Sequence, residues 1–112
     1  MADQGTGVEL GRYVEPAVLV LASLSDGPKH GYAIMADVEA FSGVRMGPGT
    51  LYAVLARLEQ GGLVEPLPAE DRRRPYRLTA AGSVALSERL EEMASFVKVG
   101  RSRLRQPDRG RA

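Results

Sequence analysis

Apolar and polar positions along the chain fall into blocks whose period changes from helix to strand and back. Pro16 to Leu24 is a mostly apolar run that ends at Ser25-Asp26-Gly27-Pro28, a cluster of turn formers that breaks any regular element. From His30 to Phe41 the apolar residues Ile34, Val38 and Phe41 recur at helical spacing, Asp37 and Glu39 point elsewhere, and Ser42-Gly43 closes the segment. Val44-Arg45-Met46 is short enough to be a strand or simply a turn. The next predicted helix begins at Pro48, whose missing N–H costs nothing at the first helical position, behind Gly47 as an acceptable N-cap. It ends at Gly61-Gly62, where a glycine can take the left-handed conformation that closes a C-terminus. With Leu51 at zero and about 100° per residue, Leu55, Leu58 and Val54 fall at roughly 40°, −20° and −60°, a narrow apolar stripe.

The far side of that helix is unusual. It carries Gly49, Thr50, Ala53, Ala56, Arg57 and Gln60, nearly all small or polar, with few of the Lys and Glu residues of a solvated face. Tyr52 stands at the border, its ring able to lean on the core and its hydroxyl to reach outward. An ordinary amphipathic core helix would share the stripe, so the residues after Gly62 have to decide. Leu63-Val64-Glu65 reads as a short strand, Pro66 to Arg74 as a polar loop longer than a tight two-residue turn, and Pro75 to Leu78 as the returning strand. The loop ends in Arg72-Arg73-Arg74. A smooth-faced helix followed by a hairpin with a basic tip is the winged helix-turn-helix pattern, in which the helix enters the major groove and the wing touches backbone or minor groove. The expected fold is mainly α with a small β-hairpin wing, an α+β arrangement.

After Thr79, a plausible N-cap, the chain is expected to be helical for about two dozen residues. Leu86, Leu90, Met93, Val97, Gly100 and Leu104 recur at alternating spacings of four and three, the seam of a helix lying lengthwise on another. That seam is longer than one small domain needs, so a second copy is the simplest partner, with Leu86, Leu90, Met93 and Val97 as the expected interface. Folding back onto the chain's own domain competes for Val84 to Leu90. Gly100 leaves a hole in the seam and is expected to mark where order weakens. The resulting organisation is a flexible segment over 1–12, a DNA-binding domain over 13–79, a dimerisation helix over 80–104 and a disordered basic tail over 105–112.

Composition narrows the function. A chain of 112 residues with 44% hydrophobic and 26% charged residues is one ordinary globular domain. It has no cysteine, which excludes disulfides, thiolate catalysis and Cys-based zinc sites. The apolar run Ala17 to Ala22 is too short to span a membrane and lacks the basic flank of a secretory signal, so cytoplasm is the expected compartment. The net charge of +1 conceals a polarity, −5 over residues 1–70 and +6 over residues 71–112. The basic wing supplies the patch a nucleic-acid binder needs. The single histidine, His30, stands at a helix start, and nearby Asp26, Asp37 and Glu39 form no metal or acid–base cluster, which argues against an enzyme and implies neither metal nor cofactor.

His30-Gly31-Tyr32, Gly49-Thr50-Leu51-Tyr52, Arg57-Leu58-Glu59, Gly62-Leu63, Tyr76-Arg77-Leu78-Thr79 and Ala81-Gly82 resemble, in order and spacing, the PadR-like transcriptional regulators. The resemblance covers Pro16 to Leu90. It implies a homodimer bound to operator DNA, most often as a repressor. The chain departs from the family at Gly47, where a polar cap is common, and at Ala53, where Pro is common. Together the helix face, the loop and the resemblance nominate His30, Tyr32, Gly49, Thr50, Tyr52, Ala53, Arg57, Arg72, Arg73 and Arg74 as DNA-facing. The expected partners are double-stranded DNA and a second copy. Some relatives look like sensors of aromatic or planar compounds. Here Met35, Met93 and Phe96 are the side chains available to a small apolar or aromatic effector, and they serve equally well as core. The competing function is a winged-helix module for protein–protein contact or scaffolding, since fold does not fix function.

Overall fold

A computed structural model of the chain describes residues 14–106. The expected segment over 1–12 and the tail beyond Gln106 lie outside the described residues. The order of elements is α1 (Pro16–Leu24), β1 (Lys29–His30), α2 (Gly31–Ser42), α3 (Pro48–Gln60), β2 (Val64–Pro66), β3 (Pro75–Leu78) and α4 (Ala80–Leu104). The helices begin and end where local chemistry directs. Pro16 and Pro48 open α1 and α3, Gly43 closes α2 in the left-handed region at φ 76°, and Gly62 turns the chain out of α3 at φ 77°. Thr79 caps α4, its hydroxyl oxygen accepting from the Gly82 amide at 3.0 Å.

The three strands form one antiparallel sheet in the order β1-β3-β2. Val64 pairs with Leu78 and Pro66 with Tyr76, while on the other edge Lys29 pairs with Tyr76 and His30 with Pro75. The third strand is therefore the two residues before α2, and Val44-Arg45-Met46 is the turn between α2 and α3 with Met46 buried in the core. Lys29 is tied down there: its ammonium donates to the Ser23 carbonyl and to Asp26, and it lies 3.9 Å from Asp37. Ser23, buried at the end of α1, donates to Asp37 at 2.7 Å and joins α1 to α2. The Asp26 carboxyl is held below its ordinary range by the hydrogen bond from Lys29 and by that ammonium's charge.

The core gathers Val18, Leu19, Val20, Leu21 and Leu24 of α1 with Ile34 and Val38 of α2, four residues of α3, Val64 and Leu86. α1 packs against α2, α3 and α4, which explains why its sequence is apolar nearly all round. Leu51, Val54, Leu55 and Leu58 are the buried side of α3, as the stripe requires, and each such side chain contributes about 1.5–3 kcal/mol on burial. Phe41 departs from the expectation. It is 50% exposed, because the last turn of α2 runs past the edge of the core that Ile34 and Val38 fill.

Two corrections concern α4. Leu86 is 7% exposed and belongs to the domain's own core, so it is unavailable to a partner. Gly82, one turn earlier, is buried under the Leu63 carbonyl so closely that a Cβ would overlap it. The base of α4 is thus part of the winged domain. Gly100 does not end order either: the helix continues through it to Leu104 with Arg105 as C-cap. One glycine costs about 1 kcal/mol in a helix, too little to stop one of 25 residues.

Candidate nucleic-acid interface

The site is built on α3 and the wing. Gly47, Pro48, Gly49, Thr50, Ala53, Ala56, Arg57 and Gln60 are all exposed, so the small and polar face predicted for α3 is the face the fold leaves open. A Cβ at Gly49 would meet nothing within 4 Å, so no packing among the described residues requires a glycine there. Arg57 rises from its second half and makes no ion pair among the described residues.

The wing is tighter than its sequence suggests. Beyond the paired strands, Glu70 and Arg73 exchange two backbone hydrogen bonds of 2.6 and 2.8 Å. Asp71 and Arg72 turn the chain between them, both left-handed at φ 51° and 67°. The expected long loop therefore closes on a two-residue turn with positive φ at both central positions, the geometry that matches hairpin twist. Asn-Gly is its usual sequence signature, and neither residue is present. Leu67 donates to the Pro75 carbonyl at 2.8 Å, and the Arg74 guanidinium donates to the Leu67 carbonyl at 3.1 Å, stiffening the stem. Arg72 is left free of any ion pair among the described residues.

Helix and wing meet across a cleft of about 340 Å³ lined by His30, Gly31, Tyr32, Tyr52, Arg72, Arg73, Arg74 and Tyr76. His30 occupies the N-cap position of α2 but caps nothing with its side chain. Instead Arg73 donates to its Nε2 at 3.3 Å, joining β1 to the wing. Tyr32 is 68% exposed at the mouth. Tyr52 differs from expectation in one respect: its hydroxyl is turned back over Gly31, so closely that a Cβ on Gly31 would overlap it. Gly31 and Tyr76 are two site residues that sequence reasoning missed, since each acquires its place through a partner distant in the chain. The Tyr76 phenol is pushed up from its ordinary value by burial first, then by Glu59 and Tyr52, with Arg74 opposing. It stays protonated at neutral pH and can donate a hydrogen bond.

The cleft thus gathers His30, Tyr32, Tyr52, Arg72, Arg73 and Arg74, and leaves Gly49, Thr50, Ala53 and Arg57 on the adjoining helix face. Arginine guanidinia and tyrosine hydroxyls are donors suited to phosphate oxygens. No group of three or more His, Cys, Asp or Glu side chains able to hold a metal ion occurs among the described residues. No described helix is long and apolar enough to cross a membrane. Of the side chains considered for an effector, Met35 packs against the core, Met93 is half-buried and Phe96 is 63% exposed.

Comparison with known proteins gives this geometry a context. The model of the transcriptional regulator PadR-like family matches residues 20–88. A transcriptional regulator of Mycobacterium tuberculosis is 40% identical over 89 residues, which cover 74% of this chain and 82% of that protein. An uncharacterized 37.1 kDa protein in transposon TN4556 of Streptomyces fradiae is 53% identical over 77 residues, 69% of this chain. The match spans 22% of that larger protein. Among solved structures, a PadR family transcription regulator from Clostridium difficile superposes with a TM-score of 0.71 at 26% identity, covering 79% of this chain and 96% of its own.

Proposed function

The chain belongs to the PadR-like family of transcriptional regulators, and from that premise we propose that it binds operator DNA as a homodimer, with α3 in the major groove and the wing on the adjacent backbone and minor groove. One observation carries the reading: Tyr52 of α3 and the three wing arginines line a single cleft, and the exposed bare face of α3 belongs to the same helix as Tyr52, which supports a duplex meeting helix and wing together. Thr50, Ala53 and Arg57 are exposed on α3 and would meet base edges, Arg57 being the one able to pair bidentately with guanine. His30, Tyr32 and Arg72 to Arg74 would hold phosphates and set the register, while Tyr52, its hydroxyl turned over Gly31, would hold α3 in place.

One winged helix covers too few base pairs to select a site in a genome, whereas two related by symmetry can read an inverted repeat about one helical turn apart. Leu90, Met93 and Val97 supply the surface for that pairing. Occupying such a repeat would exclude other proteins from it, which favours repression.

Selection of bound fragments from genomic DNA, followed by sequencing, tests the proposal. The expected result is enrichment of one inverted repeat. Recovery of fragments without a shared motif, from protein that is folded and monodisperse, would overturn it.

A further inference from the structure

His30 is the chain's only histidine, and the chain has no cysteine. Imidazole is the side chain whose ordinary titration lies between about pH 5 and about pH 8. The Asp26 carboxyl is held low and the Tyr76 phenol is pushed up, so both titrate farther from neutrality than usual. His30 and Arg73 together line two clefts, the 340 Å³ cleft between helix and wing and one of about 520 Å³ shared with Glu70 and Asp71. The contact between them fixes the protonation of the ring. A guanidinium has only N–H donors, so the Nε2 that receives Arg73 at 3.3 Å carries a lone pair and the ring is neutral. A proton on Nε2 would remove the acceptor and set two cations 3.3 Å apart. The other charged groups around the ring leave it unpaired. Lys29 beside it is taken up by Asp26 and the Ser23 carbonyl, with Asp37 beyond, and Arg77 of β3 is paired with Glu65. Glu70 and Asp71 face the ring across the wider cleft, and Arg72, Arg74 and the phenols of Tyr32, Tyr52 and Tyr76 across the narrower one. None of them makes an ion pair with His30 among the described residues.

We propose that a phosphate of bound DNA lies between His30 and Arg73 in place of their direct contact, and that His30 takes up one proton as the phosphate arrives. The inference rests on the DNA-binding reading above and adds to it control by pH. Without the proton, the Nε2 lone pair would face a phosphate oxygen, acceptor against acceptor. With it, the phosphate oxygens accept from imidazolium and guanidinium at once, and the anion offsets the repulsion between the two cations. The sign of the pH dependence follows. DNA favours the charged ring, so affinity rises as pH falls through the histidine range and levels off where the ring is charged before DNA arrives. Acid therefore tightens the complex. In the free protein the same proton undoes the tie between β1 and the wing, so acid loosens the wing where no phosphate is present to hold it.

Binding of the full-length protein to a random-sequence duplex at fixed salt, at about pH 5.5 and about pH 7.5, tests the proposal. No binding at either pH, from folded protein, would remove the DNA reading and this inference with it. The expected affinity is on the order of fivefold higher at the lower pH, within the limit of about tenfold per pH unit that one proton sets. The plot of log affinity against log salt should be steeper there by about 0.9, the share of one added phosphate contact. His30→Gln keeps an acceptor for Arg73 but takes up no proton, so its affinity and salt slope should not differ between the two pH values. Equal wild-type affinities at both, or a pH response that survives in His30→Gln, would overturn the proposal while leaving DNA binding intact. The unmodified protein gives a second readout, because its one histidine has one Cε1–H resonance. At about pH 6.5, adding duplex should move that resonance toward the position it reaches in acid. No movement, or movement toward the alkaline position, would overturn the proposal even if His30→Gln fails to fold.

Discussion

Arg57 and Gly31 show how single residues serve this surface in opposite ways. Arg57 touches nothing charged within the described chain and stands on the open face of α3, so its guanidinium is available to a base edge. Arg57→Ala should cost about 1–3 kcal/mol at the selected site and little on random DNA, measured by binding to both. Equal losses on the two would make Arg57 a positioning residue and move base readout toward Thr50 and Ala53. Gly31 makes no outward contact, but its missing Cβ lets Tyr52 of α3 close over the start of α2. Gly31→Ala should therefore lower stability by about 1–3 kcal/mol, as overpacked sites do. Combined with Tyr52→Ala, which removes the ring it strikes, the change should cost less than the two separate losses added together. Additive losses in denaturant titrations would mean that the two residues do not press on one another.

Among the elements the wing is the informative piece, because it combines strain with charge. Arg72 adopts a left-handed backbone that glycine takes freely, in a turn whose usual occupants are Asn and Gly. Arg72→Gly is expected to raise stability by about 1 kcal/mol and, at the same time, to weaken binding to cognate and random DNA alike. A variant that is more stable and binds undiminished would show that the strain serves no DNA contact. The neighbouring arginines give the quantitative measure. Arg73→Ala with Arg74→Ala should flatten the plot of log affinity against log salt by about 0.9 for each phosphate they neutralise. An unchanged slope would leave DNA binding to α3 alone. Arg73 also holds His30, so this double variant frees β1 from the wing as well.

In the molecule as a whole, α4 is one helix whose base and outer half differ in burial. Gly82 and Leu86 anchor its base in the winged domain, and from Leu90 onward its apolar line leaves that domain behind. The described residues are drawn out to 62 Å along their longest axis, against 31 and 21 Å in the other two. Burying a leucine-sized side chain contributes about 1.5–3 kcal/mol, so a charge in the middle of the outer seam should be costly to pairing. Met93→Asp is expected to sediment as a monomer and to lose specific binding while keeping weak nonspecific binding. Leu86 cannot report on pairing, because its loss would damage the domain first.

Features that depend on near neighbours in the chain could be read from the residues alone. Prolines at first helical turns, glycines at helix ends and the 3.6-residue period placed α1 and α3 at their observed limits and set the start of α4 at Thr79, because caps and amphipathic stripes act within a few residues. The bare face of α3 was legible for the same reason. Features that depend on residues far apart emerged only once the chain was folded. Lys29-His30 is a strand because β3 pairs with it, and two residues carry no period from which pairing could be read. Phe41 and Leu86 share the helical spacing of their elements. Their opposite burial was settled by where the core ends, which periodicity does not encode. The wing tip closed tightly without the Asn-Gly signature: Asp71 tolerates the left-handed backbone, and the hydrogen bonds of the hairpin hold Arg72 in one that its own preference disfavours. The cleft could not be seen in the sequence at all. It joins His30, Tyr52 and Tyr76 from β1, α3 and β3, and packing alone brings those three elements together.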